Sequence, residues 1–573
     1  MKVKEIIEKT IKEVFNTESF SVDRPSEESR CDFACNVAMV LSKTVGKNPR
    51  ELAEEMVEKL KKDKELALVV DLEKIEVAGP GFINFWVRDE YLGKKISGVS
   101  GFRVKPGMTE SEIEIGDSDW MKGKKVLVEY SSPNIAKRFS VGHLRSTIIG
   151  QALFNLYKAS GASLTNDNHL GDWGTQFGMI IAAVEEENLD ISKMSVGELE
   201  ELYVRFNTRI SDNPDLKEKA REAFLRLEQG DANARKIWQL AIDVSMKEFN
   251  EIYKKLGVSF ENMYGESVYE QMMLEIIEDL KRKGIATEGE RGAYIIKFEK
   301  NGKEYMPPAM LVKSDGSTTY MTRDMATIQK RLTEKKLNAD LYIYEVGSEQ
   351  KLHFRQVFET ARMLWPNETK DVRFVHVAHG LLTLPEGKMS TRKGNTIKLE
   401  DLIAKAGDEA RDFVKSEDVD AEKMAINAIK YNELRRSPEL NYVFRWEEAL
   451  AMEGNSAPYI NYAYVRAKKI VEKLETEKTQ KLKILFEGEE RDLARLLMRF
   501  AEGEIVEDAA KNFAPHLVAG YLFEVAKKFN AFYDHNKVLG DSREKERLVL
   551  VNAVAEGIKK GMKLLGIEVV EKM

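Results

Sequence analysis

Two widely separated groups of residues in this chain are of the types that meet phosphate charge. Gly142 and His143 stand at the head of a helix-periodic stretch, and Lys388, Arg392 and Lys393 stand in a run bounded by Gly387 and Gly394. An imidazole at a helix start lies where unpaired backbone N–H groups and the helix dipole favour an anion. A glycine-bounded cationic loop suits stabilisation of a polyphosphate leaving group. Each also has a plain alternative: an ordinary strand–helix crossover with a surface histidine, or a solvated basic loop.

The elements that would position these groups follow from local pattern. Lys125 to Tyr130 reads as a short buried strand, with Val126, Leu127 and Val128 between polar ends. Ser131-Ser132-Pro133-Asn134 breaks it with turn residues, and Leu144, Ile148, Leu153 and Leu156 form the apolar face of the helix after it. Leu164 lies in a second strand, so Asn168 to Gly178 should lie at the carboxyl end of a parallel sheet, where ligands collect. Its glycines at 171, 174 and 178 permit close backbone approach to a ligand. From about 183 to 310 the charged helical pattern interrupts this alternation as an insertion, with a hairpin from Lys297 to Lys303 turning at Asn301-Gly302. Thr322 is a plausible N-cap for a helix through Ile328 and Leu332, which would place Asp324 in its first turn.

The first 115 residues suggest a small α/β module. Helices over Lys4–Val14 and Asn48–Lys61 flank two strands bent at Gly79-Pro80-Gly81, and Gly101 to Lys124 reads as a linker. The end of the chain is helical, with a bundle beginning near Ala457. The expected organisation is α/β and multidomain: 1–115, an add-on module; 116–410, a Rossmann-type parallel-sheet domain with the insertion; 411–456, a helical connector; 457–573, an all-α bundle.

Composition narrows the class without fixing the function. Apolar residues at 43% and charged residues at 32% describe a soluble chain able to build several cores. No apolar run approaches the ~20 residues of a membrane span, and the N-terminus is a charged amphipathic helix rather than a signal peptide. A net charge of −7 argues against nonspecific coating of nucleic acid but not against RNA contact through local basic patches. Cys31 and Cys35 cannot make a disulfide framework or a four-cysteine zinc site; spaced to share a helix face, they suggest buried thiols in a reducing cytoplasm.

Five stretches of the central part of the chain, and two nearer its N-terminus, carry a resemblance to the arginyl-tRNA synthetase family of class I. Ser131 to Thr147 resembles the family's SSPN…GHLRST signature, with Arg138 in place of the usual proline and Ser140 in place of the first signature histidine. Asn168 to Gly178 matches the NHLGDWGTQFG element without change, Tyr320 to Ala326 the YxTRDxA element, and Gly387 to Gly394 the KMSTRKG loop. Glu345 to Phe358 resembles the element bearing Gln350 and His353, although Ser348-Glu349 departs from the usual acidic–Arg pair. The stretches NPRELAEEMVEKL and AGPGFINF resemble the family's N-terminal domain, which touches the outer corner of tRNA.

The resemblance implies ATP-dependent activation of L-arginine and transfer to tRNA(Arg), with Mg²⁺ accompanying ATP and no metal held by the protein itself. It assigns catalysis to His143, Ser140, Lys388 and Lys393. The arginine site would be Glu129, Ser132, Asn134, Tyr320, Asp324 and Gln350; a carboxylate and a tyrosine suit a planar guanidinium, a geometry lysine cannot reproduce. ATP would meet Gly142, His143, Gly171, His353, Gly380, Lys388 and Ser390, and tRNA would meet Tyr459, Tyr462, Arg466 and Met573. His376 and His379 are either site residues or packed core. Family members need tRNA present before they activate arginine efficiently. A monomeric cytoplasmic enzyme is expected. The competing readings are an inactive tRNA-binding paralogue, suggested by Ser140, and a class I synthetase for cysteine or glutamate.

Overall fold

The computed structural model describes residues 1–25, 31–99, 116–383, 407–408, 411, 420–472 and 485–573. Lys388, Ser390 and Lys393, with the basic loop around them, lie outside the described residues. The chain divides into two units. One comprises Met1–Ser118, Tyr459–Val506 and Gly520–Gly561; the other comprises Asp119–Pro458, Glu507–Ala519 and Met562–Met573.

In the first unit, helix α1 (Val3–Phe15) buries Val3, Ile6, Ile7 and Ile11 on one face, as their spacing dictates. Strands β1 (Val22–Asp23) and β2 (Phe33–Cys35) precede helices α2 (Val37–Val45) and α3 (Pro49–Leu60). Strands β3 (Glu76–Ala78) and β4 (Phe82–Phe85) form the expected hairpin, in an antiparallel sheet ordered β1-β2-β4-β3. Gly81 has a φ of 131°, and a Cβ there would stand 2.8 Å from the Pro49 carbonyl. Cys35 ends a strand and Cys31 precedes it, so they share no helix face. Both are buried free thiols, raised by burial to about 11 for Cys31 and about 12 for Cys35. The helix Asp89–Val99 (α4) completes the N-terminal part. Arg491 and Arg495, from the helix Glu489–Ala501 of the same unit, both reach the buried Asp32 carboxylate.

The second unit is built on four parallel strands ordered β11-β10-β5-β6: β5 (Lys125–Glu129), β6 (Ser163–Asp167), β10 (Leu341–Gly347) and β11 (Arg373–His379). Helix α5 (Val141–Ala159) crosses from β5 to β6, the connection a parallel pair requires. After β6 come α6 (Thr175–Glu187), α7 (Val196–Asp212), α8 (Asp215–Glu228), α9 (Ala232–Lys255) and α10 (Glu270–Arg282). The insertion is not helical throughout. It closes with an antiparallel sheet of β7 (Ala286–Glu288), β8 (Tyr294–Lys300) and β9 (Lys303–Val312), whose β8–β9 turn is the expected Asn301-Gly302. Helix α11 (Tyr320–Thr333) and α12 (Lys351–Leu364) pack on β10 through Met325, Ile328, Tyr342, Phe354 and Phe358.

The helix expected to start at Thr322 starts one turn earlier, after Thr319 in extended conformation (φ −115°, ψ 175°). Thr322 lies inside the helix, where its hydroxyl donates to the Leu311 carbonyl of β9 at 2.7 Å. Helix α13 (Ala421–Leu434) is largely buried. Its Lys430 Nζ donates to the carbonyls of Leu256 (2.6 Å) and Gly566 (2.5 Å), and burial brings its pKa down to about 8.

One cation gathers the segments around α5. Arg145, 2% exposed, donates Nε to Glu433 Oε1 at 2.8 Å and Nη1 to the Gly380 carbonyl at 2.8 Å. Its Nη2 donates to the carbonyls of Pro438 (3.0 Å) and Leu440 (2.9 Å), and Glu433 also accepts from Tyr442 at 2.6 Å. Truncating one partner of such a pair leaves the other as an uncompensated buried charge. Arg145→Met is therefore expected to cost about 3–5 kcal/mol of stability, measured by urea unfolding.

Candidate active site

The connection between β5 and α5 is held in an unusual backbone path. Ser131, Ser132 and Ala136 have φ of 76°, 46° and 58°, three non-glycine residues in the left-handed region within six positions. Each such residue costs of order 1–3 kcal/mol unless its surroundings over-determine it, and here they do. Ser131 N donates to Ser146 Oγ at 3.0 Å, and the Ser131 hydroxyl lies 2.8 Å from that of Tyr253. Ser132 N donates to Asn168 Oδ1 at 3.0 Å, and Ala136 N to Ser245 Oγ at 2.9 Å. Asn134 bridges to Gly171, whose carbonyl accepts from Ile135 N at 3.0 Å. The loop therefore stands open above the sheet as a fixed shape.

Three of the glycines have neighbours so close that a Cβ would collide with them. A Cβ on Gly171 would stand 2.4 Å from Asn134 Oδ1, and one on Gly178 would stand 2.1 Å from the Ala220 carbonyl of α8. Those two glycines are needed for the close approach of neighbouring chain. Gly380 behaves alike: a Cβ would meet Asn441 Oδ1 at 2.5 Å and the Glu439 carbonyl at 2.7 Å.

At the helix start, Ser140 is the N-cap of α5 and closes a reciprocal capping box with His143. Its hydroxyl accepts from His143 N at 3.4 Å, and its backbone N donates to His143 Nδ1 at 3.2 Å. A donated N–H fixes Nδ1 as an acceptor, so the neutral ring carries its proton on Nε2. Burial, then the charges of Lys137 and His379, lowers the His143 pKa to about 4. The ring is thus a neutral Nε2–H donor at a helix N-terminus, suited to a phosphate oxygen.

Beside it the sheet edge is acidic. Glu129 and Asp167, the last residues of β5 and β6, both accept from Nη2 of the buried Arg331, the Asp167 bond being 2.7 Å. Asp324, on the same helix as Arg331, pairs with His353 Nε2. Glu345 accepts from His379 Nδ1 at 2.8 Å; burial opposes protonation of that imidazole, but the Glu345 charge and hydrogen bond raise it above its ordinary value. His376 is half-buried, its Nε2 3.0 Å from the Val346 carbonyl and its ring 4.7 Å from that of Phe354. Tyr320 is 69% exposed, and Gln350, the exposed N-cap of α12, lies three residues after β10.

The family model described as "tRNA synthetases class I (R), catalytic domain" matches residues 112–446. Those described as "DALR anticodon binding domain" and "Arginyl tRNA synthetase N terminal domain" match 460–573 and 1–87. The arginine–tRNA ligase of Clostridium perfringens is 37% identical, covering 100% of each chain, and that of Fusobacterium nucleatum is 35% identical over 96% of this chain and 94% of its own. The chain belongs to the arginyl-tRNA synthetase family. The crystal structure of the Plasmodium falciparum arginyl-tRNA synthetase superposes with a TM-score of 0.79 at 27% identity, over 100% of this chain and 98% of that one. The Thermus thermophilus arginyl-tRNA synthetase shares the fold, with a TM-score of 0.78 at 22% identity.

In this arginyl-tRNA synthetase family member Glu129 ends β5, Ser132 and Asn134 lie in the turn after it with Asn134 bridged to Gly171, Gly142 and His143 stand in the first turn of α5, and Asp324 and His353 are joined to each other. Among the residues expected to meet tRNA, Tyr462 is 40% exposed and lies against the Arg466 guanidinium (4.7 Å), which also faces the Tyr533 ring at 4.4 Å. Tyr459 packs on the Phe523 ring, and Met573 is half-buried. Sequence reasoning missed Arg331, Asp167 and Glu345 as site residues. A signal was there for two: Arg331 sits on the apolar face three residues after Ile328, and Glu345 is the lone charge in the strand LYIYEVG.

Because His143 is depressed toward 4, the unfolded chain binds more protons than the folded one between the ordinary histidine value near 6.5 and 4. Gln at this position keeps the capping box without the titration. Wild-type stability is expected to fall relative to His143→Gln as pH drops from 6.5 to 4, and then to level off. Paired urea titrations across that range check this.

Proposed function

We propose that this arginyl-tRNA synthetase family member is an arginine–tRNA ligase that activates L-arginine with ATP and esterifies tRNA(Arg). The observation that carries the reading is the match of the class I (R) catalytic model to residues 112–446, and it is supported by a neutral imidazole on the α5 N-terminus and by the carboxylates of Glu129 and Asp324 in the same unit. Phosphate and guanidinium need those two opposite environments side by side. In the first step the arginine carboxylate attacks the α-phosphorus of ATP, and pyrophosphate leaves. In the second, a hydroxyl of the terminal adenosine takes the arginyl group, and AMP leaves.

No covalent enzyme intermediate is required, so this chain's contribution is positioning and charge stabilisation. Asp324 and Glu129 take the guanidinium end, with Tyr320 covering it. Asn134, Ser132 and Gln350 hold the amino and carboxylate end. His143 donates Nε2–H to the phosphates, Ser140 holds its ring, and Lys388 and Lys393 neutralise the departing pyrophosphate. Gly142, Gly171, His353, Gly380 and Ser390 line the nucleotide. Tyr459, Tyr462, Arg466 and Met573 are assigned to tRNA, whose binding precedes efficient arginine activation. The protein works as a cytoplasmic monomer. No helix among the described residues is long and apolar enough to cross a membrane.

Mg²⁺ would enter with ATP, on its phosphate oxygens. Among the described residues the one cluster with metal-ligand geometry is Glu129, Asp167 and His169, and both its carboxylates are already bound by Arg331. That cluster does not fit Mg²⁺, and the protein is given no metal of its own.

Asp324→Ala is expected to raise the KM for arginine about a hundredfold or more while changing ATP affinity little, since losing a bidentate carboxylate–guanidinium pair is costly. Arginine-dependent pyrophosphate exchange measures the first and nucleotide titration the second; equal losses would contradict the slot. Ser140→His is expected to keep or raise tRNA charging, and an inactive variant would show that the helix start here cannot accept a second imidazole.

A further inference from the structure

Glu129 is the Cα partner of Asp167 on one side and of Tyr344 on the other, so these three side chains rise from the same face of the sheet at one level. Arg331 roofs the row. Its Nη2 is shared between the two carboxylates, its guanidinium carbon stands 5.1 Å from the Tyr344 ring centre, and its Nε and Nη1 have no hydrogen-bond partner. Arg331 and Asp167 are 0% exposed and Glu129 is 6% exposed.

The formal charge of the row is −1, two carboxylates against one guanidinium. The nearest groups do not cancel it. Among the described residues the only cation paired with either carboxylate is Arg331; Arg323 pairs with Glu266 at 3.5 Å, and the Lys336 ammonium reaches Asn262 Oδ1 at 2.9 Å rather than Glu129 or Asp167. His169, from the loop after β6, lies within 4.8 Å of both carboxylates and presents an unpartnered Nδ1. A buried excess charge is costly unless a counterion arrives.

We infer that Arg331 and Asp167 are positioning residues for the substrate's cationic side chain: Arg331 pins the Glu129 carboxylate, and Asp167 keeps the row one negative charge from neutrality. This rests on the arginine-ligase reading above. The second cation is then the substrate guanidinium, and a neutral side chain of the same shape leaves the row unbalanced. Arg331 is thus a resident arginine that braces the slot without filling it.

The experiment compares wild type, Asp167→Asn, Arg331→Lys and Arg331→Met by steady-state tRNA charging, with citrulline, the neutral isostere of arginine, as competitor. Asp167→Asn removes charge but not volume. It should raise the KM for arginine about tenfold and shrink the arginine-over-citrulline preference by a similar factor, leaving the KM for ATP and the melting temperature near wild type. Arg331→Lys, which keeps one nitrogen donor, should recover most of what Arg331→Met loses. If Arg331→Met does not fold, Asp167→Asn alone decides. The inference is overturned if Asp167→Asn leaves both the arginine KM and the citrulline preference unchanged, or raises the KM of ATP equally. A wild type that charges no tRNA with arginine overturns the ligase reading as well; a wild type that charges, with an indifferent Asp167→Asn, overturns this inference alone.

Discussion

The geometry of the site depends on the forced left-handed turn between β5 and α5. Three side-chain-bearing residues adopt a backbone conformation they disfavour, and buried hydroxyls and amides from α5, α9 and the loop after β6 hold them there. Those same restraints fix where α5 begins, and so where its N-terminus and His143 point. A relaxed loop would release Asn134 from Gly171 and shift the helix start together. The strain is local, while the groups that maintain it come from distant parts of the chain.

Around that turn the molecule separates two electrostatic environments that would otherwise neutralise each other. At the helix start the imidazole is kept uncharged by burial and by neighbouring positive groups, so it offers a hydrogen bond without a competing full charge. At the sheet edge the carboxylates outnumber the cations opposing them. Arg145 stays out of both because its donors are consumed by Glu433 and three carbonyls. A strong cation can therefore sit beneath a phosphate site as a structural tie.

Most of the architecture was legible in the sequence because its causes are local. The apolar run between polar ends in KVLVE, turn residues at Gly79-Pro80-Gly81 and Asn301-Gly302, and the apolar stripe of α5 each specify their element within a few residues. The helix start at Thr319 rather than Thr322 was not legible, because both threonines are sound caps and the choice is made by β9 drawing Thr322 inward. The glycines at 171, 178 and 380 could be recognised as sites of close approach, but which atoms approach them is a tertiary fact. The acidic brace was hidden for the same reason. Glu129, Asp167 and Arg331 are far apart in the chain and meet only once two parallel strands and a crossing helix are in place.

Helix α11 carries Asp324 near its outer end and Arg331 two turns further in. Seven residues of α-helix span roughly 10 Å, so the two sit on one stiff rod. The inner guanidinium is anchored on Glu129 and Asp167, the last residues of the inner strand β5 and the edge strand β6, so a pull on the outer carboxylate would load that anchor as a lever loads its fulcrum. Retuning this scaffold toward another amino acid would thus require coordinated edits at both ends of the rod, because a change at the mouth alone leaves the inner anchor set for the original cargo.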